Sequence, residues 1–349
     1  MNRLGLAWGR GLPAVTLLVA TVTVGAGTGG DLANDEQALL KEVGLSASDL
    51  VKIGHGEIVG RTTDADSSAV ALVVAGPVAV PPAFYIEKLR AIESFKTSPE
   101  ILQIGQLGPS PAASDLARMT LDGADVEDLK ECRAHRCGVK LDGDGIARVA
   151  RGDLQPATAS AAMRDFLADY ARKYLQTGNS GLIEYRDGSR PRRLADELQL
   201  IVEHFGYLQR RWPSLYTAVS NYSGTLPEGL TGFVYWSKEK VGPRPVVSMT
   251  HVLITPLNHG TAAIASKQIF ASHYSYASVG LTMLIDKGTA EAPRTLVIYV
   301  NRSRLDIFDG LFGGLKRSLV RSRARDGAER TMRRLRDRLE QSYRDSRPR

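Results

Sequence analysis

Cysteine is scarce in this sequence, with two in 349 residues. A disulfide-dense miniprotein is therefore excluded. A charged share of 24% and a hydrophobic share of 43% exclude a wholly disordered chain and a polytopic membrane protein as well. Several chemical signatures are also missing. The six histidines show no H-E-x-x-H spacing, and neither C-x-x-C-H nor G-x-S-x-G occurs. No repeat with a period of about 20–50 residues is present. No cofactor and no metal site are expected. The length suits one or two domains of about 150 residues each, enough for a sizeable core.

What is present begins with an address. Arg3 and Arg10 precede an uncharged stretch from Gly11 to Gly30, whose dense apolar part runs only from Ala14 to Val24. That is shorter than the roughly 20 residues of a membrane-spanning helix. Small residues follow at Val24-Gly25-Ala26. The expectation is a cleaved signal peptide over 1–26 and a periplasmic or secreted protein. Gly25, Gly27 and Gly30 spell G-x-G-x-x-G, but no strand precedes them, so a dinucleotide site is not expected. In an oxidising compartment Cys132 and Cys137 read as one small-loop disulfide. The competing reading, a metal site with His135 between the thiols, falls short of a tetrahedral ligand set.

After a helical lead-in over 27–56, strands are expected at Glu57–Arg61, Ala69–Ala75 and Ile101–Leu107. A helix opened by Pro81-Pro82 precedes the third, with Ile86, Leu89 and Ile92 on one face. A looser stretch and two amphipathic helices, about 157–176 and 193–211, make a helical insert over about 108–228. Five strands follow: Phe233–Ser237, Val246–Thr255, Ala262–Tyr274, Val279–Asp286 and Leu296–Val300. One long helix from about Asp306 to Tyr343 closes the chain. This order predicts an α+β helix-grip fold: a curved antiparallel sheet wrapped around the C-terminal helix, with an elongated apolar cavity between them.

Three stretches resemble the START-like superfamily of lipid-transfer and polyketide-cyclase proteins. They are Val73–Pro82, Leu296–Arg302 and Asp309–Leu315, the last a glycine-containing approach to the final helix. The helical insert departs from that family's layout. The resemblance implies one domain over 57–345, with 346–349 as a basic tail end, and a pocket for a lipid or other hydrophobic small molecule.

The positive charge is concentrated. Residues 302–349 carry 15 Lys+Arg against 7 Asp+Glu, while residues 1–301 carry 30 against 31. Lys316, Arg317, Arg321, Arg323 and Arg325 come close together with no acid among them. Beside them Phe308, Leu311, Phe312, Leu315 and Leu319 form an apolar stripe, continued by Ala324, Ala328, Met332, Leu335 and Leu339. Such a helix grips a sheet with one side. Its charged side reads either as a solvated face or as a surface for anionic lipid headgroups. A nucleic-acid partner is not expected, because no aromatic platform is interleaved with the arginines.

Candidate ligand-binding residues follow from strand parity. His251 shares a face with Val247, Met249 and Leu253. His273, with Tyr274 and Tyr276 nearby, lies in the next expected strand. If the two strands pair, both histidines face one cavity, as ligand-orienting groups or as a general base. Trp236 and Phe312 complete the set; histidines satisfied within the core are the plainer alternative. Ser237 and Lys240 give S-x-x-K without the companion elements of a serine acylase. Asp142-Gly143-Asp144-Gly145 reads as a turn, because Ile146 takes the next calcium-ligand position. Binding without catalysis is the expected function. The alternatives are a cyclase or hydrolase in the same pocket, or an envelope protein docking through its basic helix.

Overall fold

The computed structural model describes residues 29–63, 68–149, 154–308 and 313–347, with side chains in the C-terminal helix described from residue 320. The expected leader lies outside the described residues. The chain divides at Ala38 into two units. Of the first, residues 29–38 are the start of helix α1 (Gly29–Glu42). Everything below concerns the second.

Ten strands are described: β1 (Val59–Thr63), β2 (Ala69–Val78), β3 (Ile101–Gln106), the short β4 (Glu184–Tyr185) and β5 (Arg192–Arg193), β6 (Thr231–Glu239), β7 (Val246–Ile254), β8 (Thr261–Ala271), β9 (Ser275–Asp286) and β10 (Thr295–Leu305). All but β4 and β5 form one curved antiparallel sheet in the order β1-β2-β10-β9-β8-β7-β6-β3. Strand β1 is one edge and β3 the other, so the sheet does not close into a barrel. The expected α+β class and all eight expected strands are therefore found.

Both faces of this sheet are covered, which is why β2 and β7 read as nearly unbroken apolar runs. Parity assigns the two faces. Val73, Val247, Met249, Leu281 and Ile298 point into one core. Leu72, Val74, Val252, Leu284 and Val297 point into the other.

The first core is roofed by the helical insert. After α2 (Ala47–Gly54) come α3 (Pro82–Arg90) and α4 (Ile92–Phe95), which belong to the second face. The insert then supplies α5 (Gly123–Lys130), α6 (Gly143–Val149), α7 (Pro156–Thr177), α8 (Leu194–Val202), α9 (Gly206–Arg211) and α10 (Pro213–Ser220). Met163, Phe166, Leu167, Tyr170 and Tyr174 of α7 are buried in the first core. Two expectations need correction here. The segment opening at Asp142 starts α6, because Asp142 Oδ1 accepts a hydrogen bond from the Gly145 N–H at 2.8 Å. The single helix expected over 193–211 is two, separated at residues 203–205.

The second face is covered by α3, α4 and the long α11 (Gly313–Ser346). Met332 and Leu339 are buried there, with Ala324, Ala328 and Leu335 packed alongside, as the apolar stripe predicts. Backbone groups at the sheet edge hold α11 down. Glu329 Oε1 accepts from the Gly60 N–H and Glu340 Oε1 from the Ala79 N–H, each at 2.9 Å. Gly60 permits the first approach, since a Cβ there would fall 2.6 Å from Glu329 Oε1.

Candidate functional site

Between the sheet and α11 lies a cavity of about 630 Å³. Its walls are apolar: Leu89 and Ile92 from α3 and α4, and Met332 and Leu335 from α11. The chain breaks at Ala91 between α3 and α4, where ψ of 60° departs from the helix. Leu89 and Ile92 on either side of that break stay on the cavity wall. The floor is mixed: the outward parity of the strands brings Leu72, Val252 and Ile264 to it together with Ser266, Ser278, Thr282 and Asn301. A smaller cavity of about 180 Å³ shares Ser266, Ser278 and Asn301 and extends toward Ser248 and Gln268.

One ion pair sits where the two cavities meet. Lys96 Nζ donates to Glu239 Oε1 at 2.7 Å and to the Tyr235 hydroxyl at 3.2 Å. Ser237 Oγ donates to the same Glu239 oxygen at 2.6 Å. The Lys96 and Glu239 side chains keep 28% and 21% of their surface exposed. Burial disfavours both charged forms, but the pairing prevails. The Glu239 charge and the Tyr235 hydroxyl raise the Lys96 pKa, and Lys96 with Ser237 lowers that of Glu239. Burial also raises the pKa of Tyr299 on the floor.

Mouth and rim carry further charge. Lys240, Arg330, Arg334, Arg338 and Glu100 all border the opening. Arg334 reaches Glu100 at 3.3 Å. Arg338 donates to the carbonyls of Phe95 at 2.6 Å and Thr97 at 2.7 Å, tying α11 to the end of α4. Lys240 and Arg330 are exposed and make no ion pair or side-chain hydrogen bond among the described residues.

The residues singled out from sequence lie elsewhere. His251 does share its face with Val247, Met249 and Leu253, but that face meets the insert. His251 Nδ1 shares a hydrogen bond of 2.9 Å with the Tyr174 hydroxyl of α7. Gly232 leaves room for its ring, since a Cβ there would stand 3.1 Å from His251 Nε2. Lys267 is its partner in the β7–β8 register. Its Nζ donates to Asn179 Oδ1 at 2.8 Å and lies near the carbonyls of Ala218 and Val219 at the end of α10. Burial lowers Lys267 to about 7, and burial together with Lys267 lowers His251 to about 3.

His273 is not beside His251. It follows β8, and its Nε2 lies 3.0 Å from Oδ1 of Asp125 in α5. Tyr274 takes a left-handed φ of 61°, and its hydroxyl accepts from the Arg244 N–H at 3.0 Å. Tyr276 lies under Lys140 Nζ, 4.3 Å from the ring centre. Trp236 is buried on the insert face and donates to the Asp115 carbonyl at 2.9 Å. Phe312 lies outside the described residues. Hence none of His251, His273, Tyr274, Tyr276 and Trp236 lines the cavity under α11. His251, His273, Tyr276 and Trp236 join the sheet to its insert, and Tyr274 holds the turn between β6 and β7. Sequence parity identified the face but not the layer that covers it.

Among the basic candidates, Lys316 and Arg317 belong to α11 with side chains outside the described set. Arg323 is exposed, and Arg321 and Arg325 are half-buried. Arg325 pairs with Asp326 at 2.8 Å. Ser237 and Lys240 form no acylase pair, because Ser237 bonds Glu239 instead.

Cys132 and Cys137 form a disulfide, the bond characteristic of oxidising compartments. Among the described residues no three His, Cys, Asp or Glu side chains gather as metal ligands. No protein-family model and no curated protein matches the chain.

Proposed function

We propose that this is an exported protein of START-like architecture that holds one hydrophobic small molecule or lipid between its sheet and α11. The observation that carries the reading is the cavity itself. Its volume lies within the roughly 300–1,000 Å³ of small-molecule sites, and its apolar walls with a few convergent polar groups are the usual composition of such sites. Export is supported by the leader-like first residues and by the Cys132–Cys137 disulfide.

An enzyme in the same pocket would need a group that exchanges a proton near neutrality. The pairing that holds Lys96 charged and Glu239 ionised works against both as general acids or bases. That favours a role in orienting a ligand. Docking through the basic helix would rest on Lys316, Arg317, Arg321, Arg323 and Arg325, of which Arg323 is exposed and Arg325 pairs with Asp326.

The test is organic-solvent extraction of the protein as purified, followed by mass spectrometry. The expected result is one co-purifying apolar or amphiphilic species near stoichiometric amount. Finding none, together with no uptake of an uncharged apolar dye such as Nile red, overturns the reading.

A further inference from the structure

We infer that the molecule held under α11 is an amphiphile with an anionic head, a carboxylate, sulfate or phosphate, seated at the Lys240–Arg330 rim. The inference rests on the cavity being a ligand site and names the class of ligand. Two independent observations carry it.

The first is the asymmetry of the lining. Leu89, Ile92, Met332 and Leu335 on the helices and Leu72, Val252 and Ile264 on the sheet make the inner lining largely apolar, while Lys240, Arg330, Arg334, Arg338 and Glu100 gather at its exposed border. A molecule that satisfies both surfaces is apolar along its body and polar at one end.

The second is the distribution of charge at the mouth. Glu239 is held by Lys96 and Glu100 by Arg334, which uses both carboxylates that border the cavity. Arg338 is committed to backbone carbonyls. Lys240 and Arg330 remain as two cations with no anion assigned to them among the described residues. A positively charged head would meet repulsion here and a neutral one would gain little. An anionic head would make charge-assisted hydrogen bonds to both.

The test uses the full chain with Nile red as reporter and three competitors below their micelle concentrations: dodecanoate, dodecanol and dodecyltrimethylammonium. Dodecanoate displaces the dye at concentrations about tenfold lower than dodecanol, the size of one charged hydrogen bond. The cation competes worst. Adding salt narrows the gap between dodecanoate and dodecanol. In the double variant Lys240→Gln/Arg330→Gln the gap between dodecanoate and dodecanol closes. Both residues are exposed, so the variant leaves the cores intact.

Equal competition by dodecanoate and dodecanol overturns the anionic head and leaves the cavity reading standing. So does a gap that survives in the double variant. A double variant that weakens Nile red and dodecanol as much as dodecanoate shows a structural role and overturns it too. If the wild-type protein binds no dye and no competitor, the cavity reading fails and this inference falls with it.

Discussion

Lys96 Nζ stands 2.7 Å from Glu239 Oε1, joining the end of α4 to the end of β6 where the two cavities meet. Neither side chain is fully dry, so the pair lies between the surface and buried limits for ion pairs. Removing one partner leaves the other charge poorly solvated. Lys96→Met or Glu239→Gln alone is expected to cost about 2 kcal/mol in urea unfolding. The double variant should cost less than the two single costs added together. Additive losses would show that the charges do not depend on each other.

Lys267 makes stability depend on pH. In the unfolded chain it holds its proton up to about 10.5, but burial in the fold lowers that to about 7. Between these values the unfolded chain binds more protons, so stability rises with pH. Buried tyrosines such as Tyr174 impose the opposite slope only above about pH 10. Between about pH 7 and 9.5 the wild-type protein should gain up to about 3 kcal/mol from Lys267. Lys267→Met should flatten that rise. An unchanged slope in the variant would show that Lys267 does not titrate in this range.

His251 acts at lower pH by the same logic. Its ordinary value of 6.5 is lowered to about 3 in the fold. As pH falls below 6.5 the unfolded chain takes up a proton that the fold does not, and stability drops until about pH 3. His251→Gln can keep a hydrogen bond to Tyr174 and should weaken the acid sensitivity in this window. Equal acid sensitivity in wild type and variant would contradict the assignment.

The disulfide closes a loop of five-residue separation. On the chain-entropy view such a loop contributes about 2 kcal/mol. Reduction, or Cys132→Ser with Cys137→Ser, should lower the midpoint of denaturant unfolding accordingly and leave its slope unchanged. No shift would show that the bond does not restrict the unfolded chain.

The strands were legible as apolar runs between turn clusters, nearly unbroken on β2 and β7, where both faces are covered. On β7, Val247, Met249, His251 and Leu253 are in phase in sequence and in space. The stripe through Met332 and Leu339 likewise showed which side of α11 meets the sheet. Local pattern cannot say which layer covers a face, because that depends on the path of a distant insert. For this reason His251 and Trp236 were credited to a cavity that lies on the other side of their strands. Lys96 and Glu239 are separated by 143 residues, and no spacing rule joins them. The apolar phase of Leu89 and Ile92 also runs through the break at Ala91, so two helices read as one.

The central claim is that the space under α11 is a ligand site. Ala328 borders it on the face of α11 that meets the sheet. Ala328→Trp fills volume from the helix side and leaves Lys96, Glu239 and the insert unaltered in sequence. Nile red titration of wild type and variant, with circular dichroism to establish that both are folded, is the direct measurement. The account predicts saturable one-to-one binding by wild type and at least a tenfold loss in the folded variant, about 1.4 kcal/mol. Equal binding by the two folded proteins would contradict it.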